Sequence, residues 1–446
     1  MTTKDQSLHS FIGVDELEDR MVILSYLGFH DKYRQIDERL CMWIKHNFNG
    51  VAIQAVRKNQ TVHLRSKELR PGDTVLKFHK FPNSLKKLTF VNRALVKELK
   101  ARGFVRFEVR KGAQSLIPKQ KEIGKVNHLI RNIKKGAEQR ERGSAIIENL
   151  LDRAREGNTD TSELVGYIKN VSADSSIEAI TAIVSLKESD QTYAHCIDVG
   201  AIFLTAYYKI IKRKGRRSIF KNEEEALFAG FLHDFGKFKV PKNILDSTTR
   251  FSRDSKEMQE MFKHPIYSKE ILSEMGLPDY IVNMAYLHHV KADPSMKSSY
   301  PEVSSYDEVL YETRLLAIID VYQALVGKRS YKKSWTPPSA IQYIDTLAGV
   351  EYDLEAWEDF LSVTGKYPIG SLVKLNDDTT AFVVTVPERD LHSPCVVRVL
   401  DAGGDNITDY ALTDLRHDSV TIVGDLDCTE VFGVRGVEVF SGLQID

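Results

Sequence analysis

The pattern of hydrophobic and polar positions changes several times along the 446 residues of the chain. Up to about Lys111, short β-branched runs such as 50–56 and 103–109 occur together with helical stretches such as 92–102. This mixture predicts a small N-terminal α+β domain, 1–115. From about residue 120 the pattern is helical, charge-rich and has few Gly or Pro breaks, which predicts a helical connector over 116–188.

A run of amphipathic helices is predicted between residues 189 and 364. Their ends carry recognisable signals: Pro265 can begin a helix, and Thr336 followed by Pro337 has the pattern of an N-cap and a first helical residue. The periodicity of hydrophobic residues is helical throughout, and the region is therefore expected to be an all-α domain.

The texture changes again after Gly365. Val, Thr and Leu alternate with polar residues at 371–375, 381–386 and 395–400, and turn residues separate these runs. This pattern predicts a small β-rich C-terminal region, 365–446. The expected fold is therefore multidomain, with an all-α helical domain flanked by a small N-terminal α+β domain and a small β-rich C-terminal region.

Composition and charge exclude some classes of protein. With 42% hydrophobic and 28% charged residues, the chain is neither disordered nor collagen-like. The 62 basic and 62 acidic side chains cancel, so a nucleic-acid partner is not expected. The charge is uneven, with 22 basic and 5 acidic residues in 56–135 but 6 and 14 in 366–446. A solvated surface is the favoured interpretation of the basic segment, and binding of a partner, an anionic membrane or a nucleotide is the alternative.

The sequence predicts a cytoplasmic protein. Its four cysteines form no Cys-x-x-Cys pair, as is usual in a reducing compartment. Residues 1–13 contain no apolar signal core, and no uncharged apolar run approaches the ~18 residues that a membrane span needs. We therefore expect no membrane span.

Histidines beside carboxylates are the most informative feature of the helical region. On a helix predicted over 190–212, His195 shares a face with Val199 and Ile202, so its imidazole is expected to point inward. One inward histidine is usually an ordinary core residue. A second helix, beginning at Glu223, is expected to end near Gly236 through a left-handed residue.

Two aspartates strengthen the pattern. Asp234 directly follows His233, and because neighbouring helical residues diverge by about 100°, its two oxygens could reach two different ions. Asp320 lies on the apolar face of a helix predicted over 307–327, where an unpaired charge would be costly. Either an ion pair or a metal ion would compensate that charge.

Seven residues together supply nitrogen and oxygen ligands for two octahedral ions. In chain order they are His195, His233, Asp234, His264, His288, His289 and Asp320. The absence of thiolates from this set favours iron or manganese over zinc. We therefore expect two divalent metal ions.

This ordered series resembles the HD superfamily of metal-dependent phosphohydrolases, and specifically its HD-GYP branch of cyclic di-GMP phosphodiesterases, over about 190–340. The stretches that carry the resemblance are 232–237, 240–245, the His264-Pro265 pair, the His288-His289 pair and 318–325. An HD pair alone is a weak signal, whereas the series in this order is specific.

The resemblance implies a ligand set and a mechanism. One ion would be held by His195, His233, Asp234 and Asp320, and a second by His264, His288 and His289, with Asp234 bridging the two. A hydroxide between the ions would attack the phosphodiester, with Asp234 and Lys237 as catalytic residues. Substrate phosphates would be bound by Lys237, Arg329 and Lys332, and Tyr300 would contact the substrate.

The sequence also departs from the family pattern. Ser299-Tyr300-Pro301 stands where the family has Gly-Tyr-Pro, and His289-Val290-Lys291 replaces the family's continuation, in which an acidic residue follows the histidine pair. Serine does not adopt a positive φ easily, so the loop could follow a different course past the substrate. Asp190 is a candidate ligand for a third ion, but the neighbouring Gln191 is a poor ligand and two ions are expected.

The expected function is hydrolysis of cyclic di-GMP to the linear dinucleotide, GMP or both in bacterial second-messenger signalling. Two alternatives stay open: a receptor that binds a cyclic dinucleotide without cutting it, and an HD phosphohydrolase that acts on another nucleotide. The expected partners are the cyclic dinucleotide and proteins of a signalling pathway. The oligomeric state does not follow from the sequence.

Overall fold

The computed structural model describes residues 9–13, 22–29, 34–35, 38–47, 52–58, 60–79, 99–100, 104–110, 120–173, 176–186, 193–245, 247, 249, 251–327, 334–387, 391–416 and 420–445. The chain divides into two units. The first comprises Met1–Ile117, Gln342–Val350 and Asp414–Ser419, and the second Pro118–Ile341, Glu351–Thr413 and Val420–Asp446.

The first unit contains antiparallel strands and a helix. Its elements are β1 (His9–Gly13), β2 (Val22–Phe29), β3 (Arg34–Gln35), α1 (Glu38–Asn47), β4 (Ala52–Arg57), β5 (Gln60–Arg65), β6 (Thr74–His79) and β7 (Phe104–Arg110). The sheet orders are β1-β7-β2 and β3-β6-β4-β5. Ile53 and Ala55 alternate along β4 and are fully buried, which explains why the β-branched run there forms a strand. Of the predicted helix 92–102, only 99–100 are described.

The second unit is mostly helical. Its helices are α2 (Gln120–Arg155), α3 (Ser162–Ala173), α4 (Ser176–Leu186), α5 (Ala194–Lys214), α6 (Glu223–Phe231), α7 (Lys242–Leu245), α8 (Lys256–Met261), α9 (His264–Glu274), α10 (Asp279–Leu287), α11 (Tyr311–Val326), the first part of α12 (Pro337–Asp345) and α13 (Leu354–Thr364). The residues of α12 from Gln342 belong to the first unit. Pro265 occupies the first turn of α9 as predicted, and the Thr336 hydroxyl accepts a bond from the Ser339 amide at the start of α12.

Helix α5 is the most apolar long helix among the described residues. It is long and apolar enough to cross a membrane by length and composition, and 78% of its most apolar window is buried inside the unit. Gly215 ends it in the left-handed conformation, with φ of 63°. Its burial and its packing against α6 and α11 make it the central helix of the unit.

A five-stranded antiparallel sheet forms the C-terminal part. The strands β8 (Leu372–Leu375), β9 (Thr380–Thr385), β10 (Cys395–Leu400), β11 (Leu412–Asp414) and β12 (Ile422–Leu426) pair in the order β11-β10-β9-β8-β12. The first three agree with the predicted strands. The helices α14 (Cys428–Phe432) and α15 (Gly436–Ser441) were not predicted, and they share a core with this sheet, α2 and α4.

The predicted fold class agrees with this architecture in its coarse features, since the chain is mostly helical with strands toward both ends. The domain boundaries at 115, 188 and 364 stay a prediction. Asp190, Arg329 and Lys332 lie outside the described residues.

Candidate metal centre

Two glycines set the distance between the first two histidines. A Cβ atom on Gly230 in α6 would lie 2.7 Å from the Cα atom of Gly200 in α5, so neither helix tolerates a side chain at this crossing. The close approach brings His195, at the start of α5, beside His233, just after the end of α6. The centroids of the two imidazole rings lie 5.3 Å apart.

Gly236 lies in the turn that follows the His233-Asp234 pair, and its role there differs from the predicted helix end. Its φ is not positive, so the expected left-handed exit is wrong; α6 ends earlier and a short 3-10 turn, Phe235–Lys239, follows Asp234. A Cβ atom on Gly236 would lie 2.1 Å from the carbonyl oxygen of His264 and 2.4 Å from the amide of Ser268. The glycine is needed because the start of α9 packs directly against the turn.

The predicted ligands that the structure describes converge around Asp234. One group of ligand atoms within 4.8 Å of one another comes from His195, His233 and Asp234. A second comes from Asp234 and three further histidines, which are His264, His288 and His289. The shared member is the carboxylate that the sequence assigned to a bridging position.

Asp234 faces each group with a different oxygen. Its Oδ2 lies 3.4 Å from the Nε2 atoms of both His195 and His233, whereas its Oδ1 lies 3.2 Å from His264 Nε2 and 3.7 Å from His288 Nε2. A carboxylate oriented in this way can bridge two cations.

Asp320 also faces both groups. Its Oδ1 lies 3.0 Å from His195 Nε2 and 3.9 Å from His233 Nε2, and its Oδ2 lies 3.9 Å from His289 Nδ1. The sequence had placed Asp320 with the first group alone. The apolar face of α11 therefore delivers a second carboxylate to the middle of the cluster.

Backbone carbonyls orient three of the imidazoles. The Nδ1 atoms of His233, His264 and His288 lie 2.8, 2.7 and 3.1 Å from the carbonyl oxygen three residues earlier. A carbonyl can only accept, so each Nδ1 donates and each Nε2 presents a lone pair to the cluster. A fixed tautomer of this kind is typical of histidines that bind metal.

These lone pairs have no hydrogen-bond partner among the described residues. The buried atoms without one include His233 Nε2, His264 Nε2, His288 Nε2 and Asp234 Oδ1. Buried polar groups are otherwise almost always satisfied, and these four atoms all belong to residues of the two ligand groups around Asp234. The ligand set has nitrogen and oxygen donors only. Burial raises the pKa of the neighbouring Cys196 thiol, which disfavours the thiolate that a metal ligand would require. The residues fit divalent cations.

The charges of the cluster depend strongly on one another. Burial by itself raises the pKa of Asp234, but the Lys237 ammonium and the contact with His195 outweigh it and hold that pKa well below its usual range. Burial lowers the pKa of His195, and the Asp234 and Asp320 carboxylates outweigh it and raise it to about 9. Burial and the neighbouring imidazoles lower the pKa of His289. Without cations, His195 and Lys237 supply the positive charge.

The remaining predicted site residues lie at the edge of the cluster. The Lys237 ammonium contacts Asp234 Oδ2. The ring of Tyr300 lies 4.6 Å from that of His289 and 4.5 Å from that of Phe262, measured between centroids. Lys291 does not join the cluster, because its ammonium contacts the Tyr352 hydroxyl at 2.8 Å.

Sequence reasoning missed a polar network behind His195. Gln323 lies 2.5 Å from His195 Nδ1, and its amide contacts Asp198, which pairs with Arg140. Asp198 lies on an otherwise apolar helix three residues after His195, so the argument applied to Asp320 could have found it.

Comparison with known proteins finds a family match over the region that contains this cluster. Residues 192–356 match the family model for the HD domain. A cyclic di-GMP phosphodiesterase of Pseudomonas aeruginosa is 27% identical over 68% of this chain and 72% of its own length. A 3'3'-cGAMP-specific phosphodiesterase of Vibrio cholerae is 34% identical over 31% of this chain and 27% of its own.

A solved structure, an HDG"Y"P protein from Bdellovibrio bacteriovorus, matches with a TM-score of 0.37 and 12% identity over 79% of this chain and 98% of that one. The chain spans most of the length of the Pseudomonas aeruginosa phosphodiesterase and about a quarter of the length of the Vibrio cholerae one. By their similarity to the family model, residues 192–356, which contain the grouped candidate ligands, are an HD domain.

Proposed function

We propose that this chain is a metal-dependent phosphodiesterase that hydrolyses cyclic di-GMP to the linear dinucleotide, GMP or both. The observation that carries the proposal is the convergence on one buried carboxylate, Asp234, of three imidazole nitrogens that have no hydrogen-bond partner among the described residues. Similarity to a cyclic di-GMP phosphodiesterase over 68% of the chain supports the substrate class.

The proposed cofactor is a pair of divalent ions, iron or manganese rather than zinc. His195, His233, Asp234 and Asp320 would hold one, and His264, His288 and His289 the other, with Asp234 shared. When bound, such ions supply Lewis acidity that activates water and neutralises charge on a phosphodiester. The absence of thiolates from the ligand set supports the choice of metal.

The protein's own cations would complete the phosphate site. Lys237 contacts Asp234, and although burial lowers the pKa of its ammonium, Asp234 outweighs that effect and raises it, so the charge is kept at neutral pH. Once cations occupy the cluster, Asp234 needs Lys237 less and the ammonium can turn to a phosphate oxygen. Arg329 and Lys332, outside the described residues, are proposed to bind the phosphates from the segment after α11.

Tyr300 is proposed to contact the substrate through its hydroxyl and not through its ring. The rings of His289 and Phe262 already lie within stacking distance of the Tyr300 ring and occupy surface on which a nucleobase would stack. Burial raises the pKa of the hydroxyl, which therefore remains a hydrogen-bond donor at neutral pH. A phosphate or ribose oxygen is a suitable acceptor.

The test is a product assay with the full chain loaded with Mn²⁺ or Fe²⁺. Cyclic di-GMP is added, and linear dinucleotide and GMP are separated by chromatography. We expect turnover that disappears on chelation and in Asp234→Ala. Glu312→Gln is the control and should keep its turnover, because the Glu312 carboxylate on α11 accepts a hydrogen bond from Tyr207 and does not contact the cluster. Retained turnover in a metal-free Asp234→Ala protein would refute the proposal.

A second candidate substrate is 3'3'-cGAMP, because a phosphodiesterase specific for it is 34% identical over 31% of the chain. Competition between equal concentrations of the two dinucleotides measures the ratio of their kcat/KM values. Binding of either dinucleotide without turnover would support the receptor alternative. A cytoplasmic location and a regulatory role for the first unit, responding to a protein partner, belong to the same proposal.

A further inference from the structure

The imidazole of His195 is oriented differently from its neighbours. His233, His264 and His288 each follow the last residues of a helix, where backbone carbonyls lack a helical partner and can accept the Nδ1 proton. His195 lies in the first turn of α5, where the free backbone groups are donors. Its Nδ1 proton therefore needs an acceptor from elsewhere, and the side chain of Gln323 supplies one.

A chain of buried hydrogen bonds leads away from that contact. Gln323 Oε1 lies 2.5 Å from His195 Nδ1, and Gln323 Nε2 lies 2.9 Å from Asp198 Oδ2. Asp198 in turn accepts two bonds from Arg140, at 2.7 and 2.9 Å. The three supporting side chains come from α11, α5 and α2, and each is less than a tenth exposed.

The direction of every bond in this chain is fixed at its far end. Arginine can only donate and an ionised carboxylate can only accept, so the Asp198 oxygens require the NH₂ end of Gln323. Its carbonyl oxygen must then face His195. As a result, Nδ1 of His195 carries the proton and Nε2 faces the Asp234 and Asp320 carboxylates.

We propose that Gln323, Asp198 and Arg140 are positioning residues that fix the hydrogen-bond polarity of His195 and thereby select Nε2 as its metal-binding atom. The inference rests on the proposed metal centre and adds to it a device that acts on one ion. If the Gln323 amide turned round, its NH₂ group would face Nδ1, the proton would move to Nε2, and His195 would lose its ligand atom. Loss of such an outer partner weakens metal binding by about 10–100-fold.

Exchange of the amide and the carboxylate tests the polarity directly. Asp198→Asn places an amide NH₂ group against a donor of Gln323 or Arg140, and Gln323→Glu places a carboxylate oxygen against the Asp198 carboxylate. Each single variant therefore breaks one contact of the hydrogen-bond series. In the double variant, the amide oxygen introduced at position 198 would accept from Arg140 Nε, and the amide NH₂ group would donate to the carboxylate introduced at position 323 and give up the second Arg140 contact. The other oxygen of that carboxylate would accept from His195. The direction of the chain is restored with the same net charge, as a purely structural role would not require.

Mn²⁺ titration of the full chain is the measurement, with the exchange-coupled electron paramagnetic resonance signal of an ion pair as second readout. We expect two ions in the wild type. In each single variant, one ion should bind about 10–100-fold more weakly while the other keeps its affinity, and the coupled signal should give way to that of an isolated ion. The double variant should recover both.

Controls separate this inference from the metal centre itself. Glu312→Gln, like Asp198→Asn, replaces a buried carboxylate with an amide, but it lies on α11 outside this series of hydrogen bonds. It should bind both ions normally. Gln323→Met keeps the Arg140–Asp198 pair, so it tests the idea even if Asp198→Asn does not fold. A wild type without Mn²⁺ binding would refute the metal centre. Normal binding in Gln323→Met, or a double variant no better than the single ones, would overturn the positioning role alone.

Discussion

Two carboxylates, one in each unit of the chain, are buried to the same extent but differ in their partners. The side chain of Asp73 is 2% exposed and that of Asp234 is 3% exposed. Asp73 accepts two bonds from the Arg57 guanidinium and one from the Arg70 amide, each at 2.7 Å. Asp234 contacts Lys237 with Oδ2, but its Oδ1 has no hydrogen-bond partner among the described residues.

The difference separates a structural carboxylate from a ligand. A buried charge is costly unless hydrogen bonds or opposite charges compensate it, and both oxygens of Asp73 accept hydrogen bonds, two of them from a guanidinium. Asp234 Oδ1 instead faces His264 Nε2, 3.2 Å away, whose lone pair is also an acceptor. Two acceptors at that distance repel each other, and a cation between them turns the repulsion into attraction. The fold holds this pair together because Gly236 lets the turn after Asp234 pack directly against the backbone of His264.

The largest expected effect follows from removing the shared ligand. Asp234→Asn replaces one of the two bridging oxygens with an NH₂ group that cannot bind a cation and leaves the other uncharged, so both ions should be lost, and turnover should fall by about 10³-fold or more. Metal content by mass spectrometry and the cyclic di-GMP assay measure the two effects. Asp73→Asn is the matched control and should keep both ions. Equal metal content in the two variants would remove the distinction between the two carboxylates.

The next effect is the response of stability to metal. Because the cluster exists only in the folded chain, Mn²⁺ at 100 times its dissociation constant should raise the free energy of unfolding by about 2.7 kcal/mol per ion. Slower hydrogen exchange in α5 and α6 is the readout. Asp234→Asn should show no such change on addition of Mn²⁺, whereas Asp73→Asn should respond as the wild type does.

A smaller effect is expected from a change that leaves every ligand in place. In Gly236→Ala the new methyl group would meet backbone atoms of His264 and Ser268, which cannot move without shifting α9. Overpacking of this kind should cost about 3 kcal/mol and weaken the ion bound by His264. Gly166→Ala, on α3 with open space around it, should be neutral or slightly stabilising. If thermal unfolding shifts equally in both variants, the close contact at Gly236 does not matter.

Much of the candidate site could be predicted because its signals are local. The helical period placed His195 and Asp320 on inward faces, and the order of the motifs grouped seven ligands that lie up to 125 positions apart. The strands β8, β9 and β10 followed from alternation alone. The inward faces and the strands each depend on a few neighbouring residues, whereas the grouping of the ligands followed from the resemblance of the ordered motifs to a known family.

Other features depend on contacts between distant elements and left no local signal. Gly236 was assigned to a helix end because glycine commonly ends helices, whereas its actual requirement comes from α9. Nothing in the residues next to Gln323 in the sequence marks it as buried. Its role depends on Asp198 and Arg140, which α5 and α2 bring beside it. The C-terminal helices α14 and α15 are short, and their burial against the sheet decides their conformation more than propensity does.

The smallest expected effect concerns the structural carboxylate and its dependence on pH. Burial raises the pKa of Asp73, but the Arg57 contacts outweigh it and hold that pKa below its ordinary value in the folded protein. The stabilisation is therefore complete above the unfolded pKa of about 3.9 and is lost as the pH falls through the folded value.

Asp73→Asn cannot titrate, so it should destabilise the first unit by about 1–2 kcal/mol at pH 7, and the difference from wild type should shrink below pH 4. Hydrogen exchange in β4, β5 and β6, corrected for the intrinsic rate at each pH, measures this difference. Asp234→Asn should leave these strands unaffected at every pH, because Asp234 belongs to the other unit. A difference that grows in acid would mean that Arg57 does not stabilise the ionised form of Asp73.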